Sequence, residues 1–101
     1  MHDLTGFKRD ILRTVAVLGD EPSGLDIKEE MEEKYGYPEI HHGRLYPNLD
    51  DLVTKGLLEK GQQDRRTNWY SLSRRGKREI ESYVDDWEEA AEQIETEVAK
   101  P

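Results

Sequence analysis

The chain of 101 residues contains no cysteine. This absence excludes a disulfide framework, a thiolate metal site and a cysteine nucleophile, and it predicts an intracellular protein. No window approaches the roughly 20 apolar residues that a membrane span needs, and the first residues lack the basic and apolar runs of a signal peptide. The sequence therefore predicts a soluble, unprocessed, cytoplasmic protein with no membrane partner.

Residue groups that support catalysis or metal binding are also missing. No nucleophile, base and orienting group stand together, and there is no glycine-rich phosphate loop. The adjacent His41 and His42 would point to opposite sides of an extended segment, and no third ligand stands at a recognised spacing. We therefore expect neither an enzyme nor a bound metal or other cofactor.

Charge is distributed unevenly along this acidic chain, whose formal net charge is -8. Residues 41–79 carry 9 basic and 5 acidic side chains, whereas residues 1–40 carry 5 and 10, and residues 80–101 carry 1 and 8. A single basic block of this kind is typical of a nucleic-acid-binding face on a protein whose remaining acidic surface repels nucleic acid. Random scatter of basic residues within an acidic protein is the alternative. The 38% of charged residues also indicates adaptation to high salt, as in a halophile.

Apolar spacing predicts two helices in the first forty residues. Helix one covers about residues 4–18, with Thr5 or Asp3 as its cap. Helix two opens at Ser23, where Asp26 three residues later completes a capping box. The apolar positions are Leu4, Phe7, Ile11, Leu12, Val15 and Leu18 in helix one, and Leu25, Ile27, Met31 and Tyr35 in helix two.

A third helix and a hairpin follow. Helix three starts near His42 or Gly43, ends before Gly56, and tolerates Pro47 near its first turn. Strands are predicted at about 57–61 and 68–73, separated by a cationic turn. A helix followed at once by a basic-tipped hairpin predicts a major-groove reader with a wing beside it. The side chains that helix three buries are Leu45, Leu49, Leu52 and Val53.

The last predicted helix carries a heptad seam, which needs a partner helix. A small domain has a modest core, so pairing of two such helices would bury further apolar surface, and we expect a homodimer. Packing back onto its own domain is the alternative. The predicted fold is mainly α with a small β-hairpin, divided into a winged helix-turn-helix (1–76) and a C-terminal dimerisation helix (77–101). The predicted interface residues are Ile80, Tyr83, Val84, Trp87, Ala91, Ile94 and Val98.

Three segments resemble the PadR-like winged-helix transcriptional regulators, in the small form with one C-terminal helix. They are GRLYPNLDDL at 43–52, KGLL at 55–58 and RRTNWYSLSRRG at 65–76. The resemblance implies a homodimer that binds a palindromic operator in double-stranded DNA and regulates transcription, usually as a repressor. His41 and His42 and the acidity depart from the family pattern.

The basic segment supplies the candidate DNA contacts. Arg44 suits guanine and Asn48 suits adenine in the major groove, unless they form a solvated helix face. Tyr46 either contacts DNA or packs against helix two, and an arginine-tipped wing suits the minor groove or phosphates. The full set of predicted DNA-binding residues is His42, Arg44, Tyr46, Asn48, Lys55, Lys60, Arg65, Arg66, Arg74 and Arg75.

Acids near these contacts are predicted to hold salt cations, which would make binding less sensitive to salt. They are Asp50, Asp51, Glu59 and Asp64.

A different class of function stays open, because an acidic winged helix can also serve as a protein-binding module that does not touch DNA. Paired arginines at the wing argue against this alternative, because a protein-binding wing needs apolar anchors more than paired arginines.

Overall fold

The structure, a computed structural model, describes residues 3–99 and the side chains of residues 3–96. Four helices and one antiparallel hairpin follow one another in the predicted order, which confirms the winged helix-turn-helix; the hairpin β1–β2 is the wing. The elements are α1 (Gly6–Leu18), α2 (Gly24–Lys34), α3 (His42–Thr54), β1 (Leu58–Gln62), β2 (Asn68–Leu72) and α4 (Arg74–Ala99).

Local hydrogen bonds start the first two helices where the sequence predicts. The Thr5 hydroxyl accepts from the Lys8 amide at 3.3 Å, which caps α1. The Ser23 hydroxyl accepts from the Asp26 amide at 3.1 Å, and the Asp26 carboxylate accepts from the Ser23 amide at 2.9 Å. Both caps satisfy amides that have no partner inside their helix.

One hydrophobic core joins α1, α2, α3 and the wing. The predicted apolar faces of α1 and α3 are confirmed, although Val53 is only partly buried. Leu25 on α2 is 54% exposed and therefore lies outside the core. The side chains at most 1% exposed include Ile11, Leu12, Ile27, Met31, Leu45, Leu49, Leu52 and Tyr70.

Helix α4 begins at Arg74, ahead of the predicted boundary at residue 77, because Ser73 caps it. The Ser73 hydroxyl accepts from the Gly76 amide at 2.9 Å and donates to the Gly56 carbonyl at 2.6 Å. Leu57, predicted to start the first strand, instead lies in the turn that leaves α3, where its amide donates to the Leu52 carbonyl at 3.0 Å.

Most of α4 projects from the body of the molecule. Its first turns pack on the core through Ile80, and Tyr83 is partly buried. Side chains 84–96 are exposed. Since an α-helix rises about 1.5 Å per residue, the 26 residues of α4 account for much of the 63 Å length of the chain.

Candidate nucleic-acid interface

Helix α3 buries one stripe, formed by Leu45, Leu49 and Leu52. Because successive residues of a helix are rotated by about 100°, the residues opposite this stripe can be identified. They are Gly43, Pro47, Asp50 and Thr54, and all four are exposed. The side of α3 that lies furthest from the core therefore presents neither an arginine nor an amide side chain.

Arg44 and Asn48, the predicted base readers, lie on the flank of α3 that faces α1. The Arg44 guanidinium carbon is 3.9 Å from the ring centroid of Phe7 and 5.6 Å from that of Tyr37. The side-chain nitrogen of Asn48 donates to the Arg44 carbonyl at 2.6 Å. Both side chains thus have partners within the protein, although Arg44 is exposed and Asn48 is half-buried. Sequence reasoning missed Phe7 and Tyr37 as partners because no local pattern relates them to α3.

Lys55 lies on the same flank and joins an ionic network. The Asp51 carboxylate lies 2.8 Å from the Lys8 ammonium and 3.3 Å from the Lys55 ammonium. The hydrogen bond from Lys8, followed by that from Lys55, holds the pKa of Asp51 below its usual value. The network connects the end of α3 to α1.

His42 and Tyr46 occupy the opposite flank, next to the start of α2. A Cβ on Gly24 would lie 2.6 Å from the Tyr46 hydroxyl oxygen, so the tyrosine ring packs directly on this glycine. The His42 ring meets the Tyr46 ring edge-on, with 5.4 Å between centroids. Of the two predicted alternatives for Tyr46, packing against helix two is therefore present in the structure.

The tip of the wing is a tight turn organised by Asp64. Its carboxylate accepts from the amides of Arg66 and Thr67, each at 2.9 Å. These bonds, chiefly the one from Arg66, hold the pKa of Asp64 below its usual value. The side chains of Arg65 and Arg66 are exposed. The turn thus fixes its backbone locally and leaves both arginines available to a partner.

The remaining basic candidates lie where α3, the wing and α4 meet. The Lys60 ammonium on β1 is 3.4 Å from the Asp50 carboxylate, which connects the wing to α3. Arg74 and Arg75 begin α4 and are exposed. Lys55 and Arg75 line the same surface depression, together with Thr54. The structure therefore brings Lys55 and Arg75 close to each other.

The predicted dimer seam forms an exposed apolar stripe on α4. Val84, Trp87 and Ile94 are 45%, 61% and 62% exposed, and Ala91 between them is exposed as well. Ile80 instead packs on its own core. Tyr83, Val84 and Trp87 also line a groove of about 350 Å³ between α1 and α4, with Arg9 and Arg13 opposite. The side chain of Val98 lies outside the described residues.

Comparison with known families identifies the protein. The profile described as "Transcriptional regulator PadR-like family" matches residues 14–82. The chain belongs to the PadR-like family of transcriptional regulators. No curated protein sequence gives a significant match.

Solved structures agree with this assignment. RosR of H. salinarum is 46% identical and has a TM-score of 0.72, over 96% of this chain and 92% of that one. The hsRosR–S1 complex is 45% identical with a TM-score of 0.73, over 97% and 91%. Bacillus subtilis PadR in complex with operator DNA is 26% identical with a TM-score of 0.64, over 79% and 48%. The two RosR structures thus match nearly the whole of this PadR-like regulator, α4 included, whereas the PadR match covers less of it.

Within residues 3–99, no three His, Cys, Asp or Glu side chains lie together as a metal site. Nor does the range contain a helix that is long and apolar enough to cross a membrane.

Proposed function

We propose that this regulator binds a palindromic operator in double-stranded DNA as a homodimer and controls transcription without catalysing a reaction. We further propose that it works in the cytoplasm at high salt. The observation that carries the proposal is the wing, whose turn is held by Asp64 while Arg65 and Arg66 project from it. Similarity to a PadR that was solved with operator DNA supports the same assignment.

Within this proposal, the basic residues divide by position. Arg65 and Arg66 enter the minor groove or bind phosphates beside it, because arginine suits narrow A·T-rich grooves. For Arg44 and Asn48, base contact stays a prediction that competes with their contacts to Phe7 and to the first turn of α3. We assign contacts with the sugar-phosphate backbone of DNA to Lys55, Lys60, Arg74 and Arg75, and also to His42 and Tyr46 near the start of α3.

The exposed stripe on α4 supports the homodimer. Four apolar side chains at helical spacing would be covered by the same stripe of a second chain, as in a helical seam. The Tyr83 ring lies 6.1 Å from the Trp87 ring and borders this stripe. We assign the interface to Tyr83, Val84, Trp87, Ala91 and Ile94. Ile80 supports the base of the helix, and Val98 would extend the seam.

The double variant Arg65→Ala, Arg66→Ala tests the proposal, with duplex binding measured at fixed salt. The control is Lys28→Ala, Lys34→Ala, which removes the same charge from α2. Binding should fall at least tenfold in the wing variant, since each phosphate or groove contact contributes to affinity, and much less in the control. Unchanged affinity in the wing variant would favour a protein-binding module instead.

A further inference from the structure

The first turn of α3 is held by two backbone bonds, from the Arg44 and Leu45 amides to the His41 carbonyl at 2.9 and 3.1 Å, and lacks further local support. In the described chain no side chain caps the helix at His41, and no acidic residue occupies the first turn. Pro47 has no amide hydrogen, so the helical bond from residue 47 to the Gly43 carbonyl cannot form. Contacts with other elements therefore help to fix the direction in which α3 leaves the α2–α3 turn.

Arg44 provides such a contact. Its guanidinium carbon lies 3.9 Å from the Phe7 ring centroid, within the range of a cation–π interaction. The Tyr37 ring meets the Phe7 ring edge-on at 5.5 Å and lies 5.6 Å from the same guanidinium. The two rings together form a platform under the first turn of α3.

The platform is itself attached to α1. Phe7 belongs to α1, and the Tyr37 hydroxyl donates to the Asp10 carboxylate at 2.6 Å. Burial, with this hydrogen bond as the next cause, raises the pKa of Tyr37 to about 12. The phenol therefore remains a donor at neutral pH, and the platform stays connected to α1.

We propose that Arg44 is a positioning residue that fixes the first turn of α3 on α1 and influences DNA only through the orientation of that helix. Asn48 assists by donating to the Arg44 carbonyl at 2.6 Å across the same turn. Arg44 is itself exposed, so this role rests on its contacts with the Phe7 and Tyr37 rings on the flank that faces α1, and not on burial. The inference rests on the proposed DNA binding.

The test compares uniform with selective loss of DNA binding. The probe is the tightest duplex selected from a random-sequence pool, together with its set of single-base-pair substitutions, each titrated over a range of potassium chloride. The variants are Arg44→Met, Phe7→Leu and their combination. Arg13→Met is the matched control, because Arg13 lies 5.5 Å from the ring of Tyr35, the residue that follows α2, and thus also faces an aromatic ring. Sedimentation checks that this variant is still a dimer, because Arg13 lines the groove beside Val84 and Trp87.

We expect Arg44→Met to weaken binding to every duplex about five- to tenfold, with the base preferences and the salt slope unchanged. Phe7→Leu should act in the same way, and the combined change should add little, because both remove one contact. Arg44→Lys should recover little of the affinity that Arg44→Met loses, since a lysine ammonium lacks the planar guanidinium that stacks on a ring. Arg13→Met should leave affinity within about twofold of the unmodified chain.

Tyr37→Phe extends the test to a variant that keeps both rings and removes only the bond to Asp10. It should show a smaller loss of affinity, again uniform across duplexes, in a chain whose circular dichroism is unchanged.

Loss of preference at one base pair in Arg44→Met would identify a base reader and overturn the proposal. If Arg44→Met lowered the salt slope by the amount expected for about one phosphate contact, Arg44 would be a contact to the DNA backbone, and the proposal would again be overturned. Unchanged affinity in both Arg44→Met and Tyr37→Phe would exclude any positioning role. An unmodified chain that bound no duplex would overturn the proposed function as well.

Discussion

At the scale of single residues, Ser73 connects three elements. Its side chain is nearly buried, caps α4 through the Gly76 amide and bonds the Gly56 carbonyl in the turn after α3. Its own amide donates to the Leu57 carbonyl at 3.1 Å, which closes the base of the wing. One hydroxyl therefore helps to fix α3, the wing and α4 relative to one another.

Ser73→Ala should lower the free energy of unfolding by about 1–3 kcal/mol, because it removes a helix cap and leaves the buried Gly76 amide without this partner. Ser71→Ala on the neighbouring strand is the control and should change it by less than about 0.5 kcal/mol. Thermal or denaturant unfolding at equal protein concentration measures both. Equal stabilities for the two variants would contradict the role of Ser73.

The residue contacts that the sequence predicted are the local ones. Thr5 and the pair Ser23 and Asp26 could be assigned as caps because both partners lie within one turn. The partners of Arg44 could not be predicted, since Phe7 approaches α3 only when the core has assembled. The sequence alone therefore predicted that Arg44 has no partner inside the protein.

At the scale of elements, the helices and strands followed from apolar periodicity, and most bounds lay within two residues of the prediction. The start of α4 was the main difference, because its cap depends on a tertiary bond from Ser73 as well as a local one. Leu25 could be predicted as an apolar position of helix two, but its exposure could not, because the tertiary structure of the described residues decides which elements cover it.

Helix α4 provides the test of assembly. Ile94→Glu would bury an unpaired carboxylate in the proposed seam, which is strongly unfavourable, and should give monomers or unfolded chain. Gln93→Glu adds the same charge one position away and should leave the dimer intact. Sedimentation of both variants distinguishes these outcomes. An intact, folded dimer of Ile94→Glu would show that α4 is not the interface.

At the scale of the whole molecule, the basic segment of net charge +4 lies between acidic segments. Of the acids predicted to hold salt cations, Asp50 and Asp51 already pair with Lys60, Lys8 and Lys55. Asp64 binds the wing backbone, so its replacement would disturb the turn. The sequence showed which acids are near the contacts, but not which of them the fold already uses.

We propose that acids near the interface take up cations when DNA approaches, which offsets counterion release from the phosphates. Affinity should therefore depend only weakly on potassium chloride, or even rise with it. Asp51 connects α3 to α1 and is left in place. Asp50→Asn with Glu59→Gln should restore a steep negative slope, whereas Glu89→Gln with Glu92→Gln on α4 should not. A steep slope in the unmodified protein, matching all of its basic contacts, would show that these acids serve only surface solvation.

Dimeric, operator-specific binding is tested most directly by hydroxyl-radical footprinting on a selected duplex, with the mass of the complex measured in parallel. Two chains should bind each duplex and protect two related half-sites whose centres lie about 10 bp apart, or a multiple of that, since each α3 would enter a major groove on one face of the DNA. One asymmetric protected site bound by a single chain would contradict dimeric binding to a palindromic operator.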